Sequence, residues 1–127
     1  MEPTSPTEEQ AAHARVCPHF HAAVELIGKR WAGAILWALS ERPHYFAELS
    51  LAVPGLSDRL LCQRLRELEA EGLVERSVED GNGARPRVSY ALTDKGGALR
   101  PVLRELHDWA AQWTANGRAG RTGVRPS

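Results

Sequence analysis

Arg59 and Gln63 stand four positions apart in the segment from Ser57 to Arg66, a spacing that puts both on one face of a helix. Arginine can engage O6 and N7 of guanine through two N–H groups, and glutamine can pair with N6 and N7 of adenine. Ser57, Asp58, Arg59, Cys62, Gln63 and Arg66 form the outward set on a 3.6-residue period, with Arg64 at its flank. Arg64 and Arg66 supply charge suited to phosphate. The same pattern also fits a solvated amphipathic helix whose charges pair with each other, as Arg66 with Glu69. A second basic group, Arg85 and Arg87 around Pro86, suits contact with a nucleic-acid backbone or a minor groove. Charge and proline there equally describe an edge strand guarded against aggregation. Lys29, Arg30 and Tyr45 are further phosphate-contact candidates, with His44 beside Tyr45.

Cys17 offers a different chemistry. It precedes Pro18 at the start of an expected helix, where the dipole favours thiolate, and His13, His19 and His21 are close in sequence. That suits a reactive thiol, although isolated cysteines are commonly small buried hydrophobes. Oxidation of Cys62 would act on the Arg59 helix directly. A metal site is not expected, because Pro18 breaks the helical spacing around Cys17 and no CxxC pair exists. Nor does the chain carry HExxH, GxSxG or a phosphate-cradling glycine loop. We therefore expect neither an enzyme nor a cofactor.

The elements that position these groups are legible in order. Pro18 starts a helix in which Phe20, Val24 and Ile27 recur until Gly28. Trp31 to Ser40 is apolar almost all round and belongs inside. After Pro43, Phe46, Leu49 and Leu51 or Ala52 mark the apolar side of a short helix that Pro54-Gly55 stops. Ser57 is placed as an N-cap, Leu60, Leu61, Leu65 and Leu68 build the inward face, and Gly72 closes the helix. Fifteen residues from Ser57 to Glu71 would make a rod of roughly 22 Å. Leu73–Val78 and Val88–Leu92 have strand character around Asp80-Gly81-Asn82-Gly83, a hairpin signal that would hold Arg85 and Arg87 near its tip. Thr93 can cap a last helix, with Asp94 in its first turn and Pro101 either kinking it or moving its start toward Arg100.

Two helices, a tight turn and a hairpin in this order constitute a winged helix-turn-helix, mainly α with a small β-hairpin (α+β), which presents one helix to the major groove of double-stranded DNA. The last helix carries Leu99, Val102, Leu103, Leu106, Trp109 and Trp113 at steps of three and four. Together with Phe20 and Val24 this stripe is the expected homodimer interface, although it could instead pack within its own chain. We expect tails at 1–12 and, basic, at 117–127, with one domain over 13–116.

Sixteen basic against sixteen acidic residues leave the 127-residue chain formally neutral, so bulk charge gives no affinity for phosphate. The distribution is uneven. From Gly28 to Arg66 six basic residues face three acids, a local +3, while Glu67, Glu69, Glu71, Glu75, Glu79 and Asp80 gather beyond. Neutrality keeps a second class open, a winged-helix protein-interaction module without direct DNA binding. Two cysteines are too few for a disulfide framework, and the longest apolar run, Trp31–Leu39, is far shorter than a membrane span. A cytoplasmic protein with no membrane partner is the expectation.

Linked motifs carry a resemblance: Cys17-Pro18, Gly28-Lys29-Arg30-Trp31, Phe46-Ala47-Glu48-Leu49, Pro54-Gly55-Leu56-Ser57, Gln63-Arg64-Leu65-Arg66-Glu67-Leu68-Glu69, Gly72-Leu73-Val74-Glu75-Arg76 and Pro86 to Thr93. From about Cys17 to Trp113 the chain resembles the HxlR-type winged helix-turn-helix regulators of the MarR-like superfamily. The resemblance implies a homodimeric transcriptional repressor or activator that binds a palindromic operator. It also implies, as in some members, sensing of an oxidant or small electrophile through a cysteine placed like Cys17. The chain departs from the family pattern at Asp58, where many relatives have proline, and at Tyr45, often arginine.

Overall fold

The computed structural model describes residues 16–81 and 83–114; the tails expected at 1–12 and 117–127 lie outside the described residues. The chain divides into two compact units, Met1–Arg30 and Trp31–Ser127.

In the first unit Pro18–Ile27 forms helix α1, with proline in its opening turn as its fixed φ favours. The Cys17 carbonyl accepts the His21 N–H at 2.9 Å, and Gly28 donates to Val24 at 2.7 Å. Phe20 and Val24 are exposed on this helix.

The second unit begins at Trp31, whose φ of 76° is left-handed. Helix α2 (Ala32–Glu41) follows and buries Ala32, Ile35, Leu36, Ala38 and Leu39, as its all-round apolar character requires. A two-residue strand β1 (His44–Tyr45) leads into α3 (Phe46–Ala52). Only Leu49 of α3 is buried. Leu51, expected on the apolar side, is 83% exposed, because so short a helix offers the core barely one turn.

The turn at Pro54-Gly55 uses φ +90° at glycine, and a Cβ there would touch the Trp31 ring at 3.5 Å. Helix α4 (Asp58–Ala70) then starts at Ser57, whose Oγ accepts the Leu60 N–H at 3.1 Å. Leu61, Leu65 and Leu68, at steps of four and three, are all within 1% of complete burial. Gly72, at φ +78°, donates to Glu69 at 2.9 Å while Leu73 donates to Leu68 at 3.0 Å. That pair of bonds is a Schellman cap, which needs a residue tolerant of left-handed φ.

Strands β2 (Val74–Gly81) and β3 (Ala84–Leu92) form the hairpin, and β1 pairs with β3 to give an antiparallel sheet of order β1-β3-β2. Both strands run further toward the turn than Leu73–Val78 and Val88–Leu92. Arg85 and Arg87 therefore belong to β3, inside the ladder. Thr93 accepts the Gly96 N–H at 3.1 Å and caps a single-turn helix α5 (Asp94–Gly97). Gly96 lies so near the Leu73 carbonyl that a Cβ would come within 2.1 Å of its oxygen.

Helix α6 (Arg100–Trp113) starts afresh with Pro101 in its first turn, so the proline opens a helix and does not kink one. Arg100 Nε donates to the Ser40 carbonyl at 2.9 Å and His107 stacks on Trp37 with ring centroids 4.8 Å apart, tying α6 to α2. Leu103 is 5% exposed and spends its surface on this intrachain packing. It is thus not available to a partner as its neighbours are. Val102, Leu106, Trp109 and Trp113 line up about 100° further round the helix, and all are half or more exposed to solvent or nearly so, Trp109 at 57% and Trp113 at 69%. Among the described residues no helix is long and apolar enough to cross a membrane.

Candidate nucleic-acid interface

The face of α4 opposite its leucines presents Asp58, Arg59, Gln63 and Arg66 to solvent, with Cys62 half-buried between them. The Ser57 cap fixes where this face begins. Arg59 and Arg66 make no ion pair with another described residue, so their guanidinium groups are available. Arg64 differs: it is half-buried and paired with Glu67 at 3.2 Å, which also receives Gln63 Nε2 at a long 3.4 Å. Asp58 Oδ1 accepts Ser50 Oγ at 2.8 Å, pinning the start of α4 to α3 across the turn.

An open groove of about 820 Å³ separates α4 from the hairpin. Arg66 and Glu69 enter it from α4, Arg76 from β2 and Arg85 from β3, over an apolar floor that includes Val88. Three guanidinium groups against one carboxylate make it cationic. Arg76 faces Tyr90 across the ladder, and burial pushes the Tyr90 phenol above its ordinary value against the opposing influence of the Arg76 guanidinium. Arg76 escaped the sequence reading because Leu73–Val78 registers only as a strand. The missing signal was the pairing with Tyr90, which puts Arg76 on the sheet face that packs against the helices.

Arg87 alternates to the other face. It pairs in register with Glu79, and its guanidinium lies 3.6 Å from the centre of the Tyr45 ring. The Tyr45 hydroxyl donates to Glu79 Oε1 at 2.8 Å, a bond that raises the phenol's pKa, since losing the proton would set two anions together. Behind Tyr45, Glu48 accepts the Tyr45 N–H at 2.8 Å and faces Arg42 at 3.3 Å. Those two contacts, the backbone donor foremost, hold the Glu48 carboxyl below the ordinary glutamate value. His44 Nδ1 lies 2.8 Å from the Arg42 carbonyl, in a buried position.

The structure thus brings Asp58, Arg59, Gln63, Arg66 and Arg85 around one helix and one groove, and joins Tyr45 with Arg87 elsewhere. Lys29 is exposed in the first unit. Cys17 is exposed immediately before α1, and Cys62 is half-buried on α4. Among the described residues no three His, Cys, Asp or Glu side chains gather as a metal site.

Residues 26–118 match the HxlR-like helix-turn-helix family. The HTH-type transcriptional regulator YvaP of Bacillus subtilis is 44% identical over 98 residues, which cover 77% of this chain and 89% of that protein. YodB, also an HTH-type transcriptional regulator of B. subtilis, is 39% identical over 102 residues, covering 80% of this chain and 89% of YodB. The solved reduced form of YodB superposes with a TM-score of 0.69 over 81% of this chain and 99% of its own. YodB is also known in a diamide-treated form (TM-score 0.63, 40% identity, 77% and 95% covered) and a quinone-bound form (0.64, 40%, 74% and 97%). A MarR-family regulator from Porphyromonas gingivalis reaches 0.67 at 25% identity over 86% of this chain and 96% of its own. With its winged helix-turn-helix and this extent of match, the chain belongs to the HxlR-like family of helix-turn-helix transcriptional regulators.

Proposed function

We propose that this regulator binds a palindromic operator as a homodimer, with α4 in the major groove of each half-site and the Arg66–Arg76–Arg85 groove holding the phosphate backbone beside it. The observation that carries this reading is the convergence of three arginines from three elements next to the exposed face of α4. Arg59 and Gln63 reach base edges, where guanine and adenine are their respective partners. Ser57 and Asp58 lie at the N-terminus of α4, nearest the groove floor, with Asp58 fixed by Ser50 and so orienting the helix. Arg64 is tied to Glu67 and supports the helix from its flank; Lys29 adds a phosphate contact from the first unit. Val102, Leu106, Trp109 and Trp113 form the self-complementary patch of the second unit, with Leu99 contributing, and a two-fold mate covers it; in the first unit Phe20 and Val24 are separately exposed apolar positions assigned to the same association.

Selection of genomic fragments by the full-length protein, followed by fluorescence anisotropy on the recovered duplex, tests the reading. Binding should weaken steeply with salt and Arg59→Ala should lose about 1–3 kcal/mol, mostly at one base position. No salt-sensitive binding to any fragment, together with a protein partner retained at high salt, would replace it with the interaction-module reading.

A second reading concerns Cys17. Its exposure at the start of α1, with the quinone-bound and diamide-treated forms of YodB, supports a thiol that responds to electrophiles. Cys17 Sγ would add to a quinone ring carbon, the thiol proton would pass to one ring oxygen and the proton lost from the attacked carbon to the other, leaving a thioether of the hydroquinone. Benzoquinone should then change the affinity of the wild type for its fragment; an equal response in Cys17→Ser would exclude Cys17, and Cys62→Ser is the companion control.

A further inference from the structure

Strand β1 is only two residues long, so it supports β3 only at Ser89 and Tyr90. Beyond Ser89, toward the turn, the hairpin is a two-stranded ribbon, a form that is marginal in water without further support. Tyr45, the last residue of β1, reaches past its own register partner Ser89 to the next pair on the same face, Glu79 and Arg87. Such diagonal neighbours are within reach of aromatic side chains. Its hydroxyl holds β2 through Glu79 Oε1 at 2.8 Å, and its ring holds β3 through the Arg87 guanidinium at 3.6 Å. One side chain therefore grips both strands of the ribbon. The face on which this happens is opposite the one carrying Arg76 and Tyr90, away from the groove.

We propose that Tyr45 is a positioning residue that clamps the wing to the helix-turn-helix body, and that Arg87 serves DNA binding through this clamp and not as a phosphate contact. Arg85 and Arg76 are then the wing's contact residues, held at a set angle to α4 by a cluster that does not touch DNA. The backbone N–H of Tyr45 caps α3 through Glu48 independently of its side chain, so changing the ring leaves the helix start intact.

Amide hydrogen exchange of the full-length free protein, read at Val78, Glu79, Arg87 and Val88, tests the clamp without DNA. Tyr45→Ala and Arg87→Ala should each speed exchange there by roughly 2–5-fold, the range of an exposed cation–π contact, and the double variant should go no further than Tyr45→Ala alone. Tyr45→Phe, which keeps the ring over Arg87, should show a smaller change. Additive effects in the double variant, or unchanged exchange in Tyr45→Ala, would overturn the clamp. A second arm rests on the proposed DNA reading and uses the selected genomic duplex. Arg87→Ala should weaken binding by about 2–5-fold with an unchanged dependence of log K on log salt. A drop of about 1.8 in that slope, two phosphates per dimer, would make Arg87 a direct contact and refute its positioning role. If the wild type binds no duplex, the DNA reading falls and the exchange arm alone decides the clamp.

Discussion

Replacing Arg76 by glutamine removes one positive charge from the groove while keeping a long polar side chain opposite Tyr90. If Arg76 neutralises one phosphate per protomer, a dimer loses two contacts. At about 0.9 per phosphate the slope of log K against log salt should fall by about 1.8. Between 50 and 200 mM salt the variant should then lose about 12-fold less affinity than the wild type does. Arg66→Ala and Arg85→Ala should each give a similar change, since both side chains line the same groove. Anisotropy titrations on the selected duplex at four or five salt concentrations measure the slope directly, with circular dichroism to verify folding. Arg104→Ala, on the side of α6 opposite the tryptophan patch and remote in sequence from the groove, is the control and should leave the slope unchanged. Slopes equal to wild type in all three groove variants would refute the assignment of the groove to the phosphate backbone.

Three further outcomes follow from packing and charge. Gly96→Ala forces a Cβ to within 2.1 Å of the Leu73 oxygen, so the chain must shift at the junction of wing and α5; calorimetry should show a loss of about 1–3 kcal/mol, and an unchanged Tm would contradict the packing. Trp109→Ala and Trp113→Ala should each raise the dimer dissociation constant about 30-fold or more by sedimentation, as truncation of a buried interface tryptophan commonly does; unaltered association would remove the α6 patch from the interface. Glu48 has its pKa lowered in the folded state, so its contribution is present above the unfolded value of about 4.5 and is lost as pH falls through the folded value. The Tm advantage of wild type over Glu48→Gln should therefore be full above about pH 5 and shrink in more acid solution; a gap that stays constant down to pH 3 would exclude this linkage.

Local chemistry made much of this fold legible. The Ser57 cap, the leucine stripe of α4 and Gly72 are each decided within a few residues, and the structure follows them closely. Strand ends were harder, because Glu79, Asp80, Arg85 and Pro86 have little strand preference of their own, and the strands run on past a ladder irregularity to the Gly81–Ala84 pair. Site geometry depended still more on distant partners. Arg85 and Arg87 look equivalent in sequence, yet the groove takes one while Tyr45 and Glu79 take the other, on either side of an irregularity in the ladder between Glu79 and Gly81 that interrupts the strand's alternation. Asp58 likewise finds Ser50, eight positions away across a turn, a partner that no local spacing marks. The left-handed Trp31 has no local signal that would favour it over glycine.

Methylation interference on the selected duplex addresses the central claim most directly, because guanine N7 lies only in the major groove. Two α4 helices related by a two-fold axis should make binding sensitive to N7 methylation in two clusters, centred about 10 base pairs or a multiple of that apart. Binding that tolerates methylation at every guanine N7, or is blocked at a single unpaired site, would contradict a dimer reading DNA with α4.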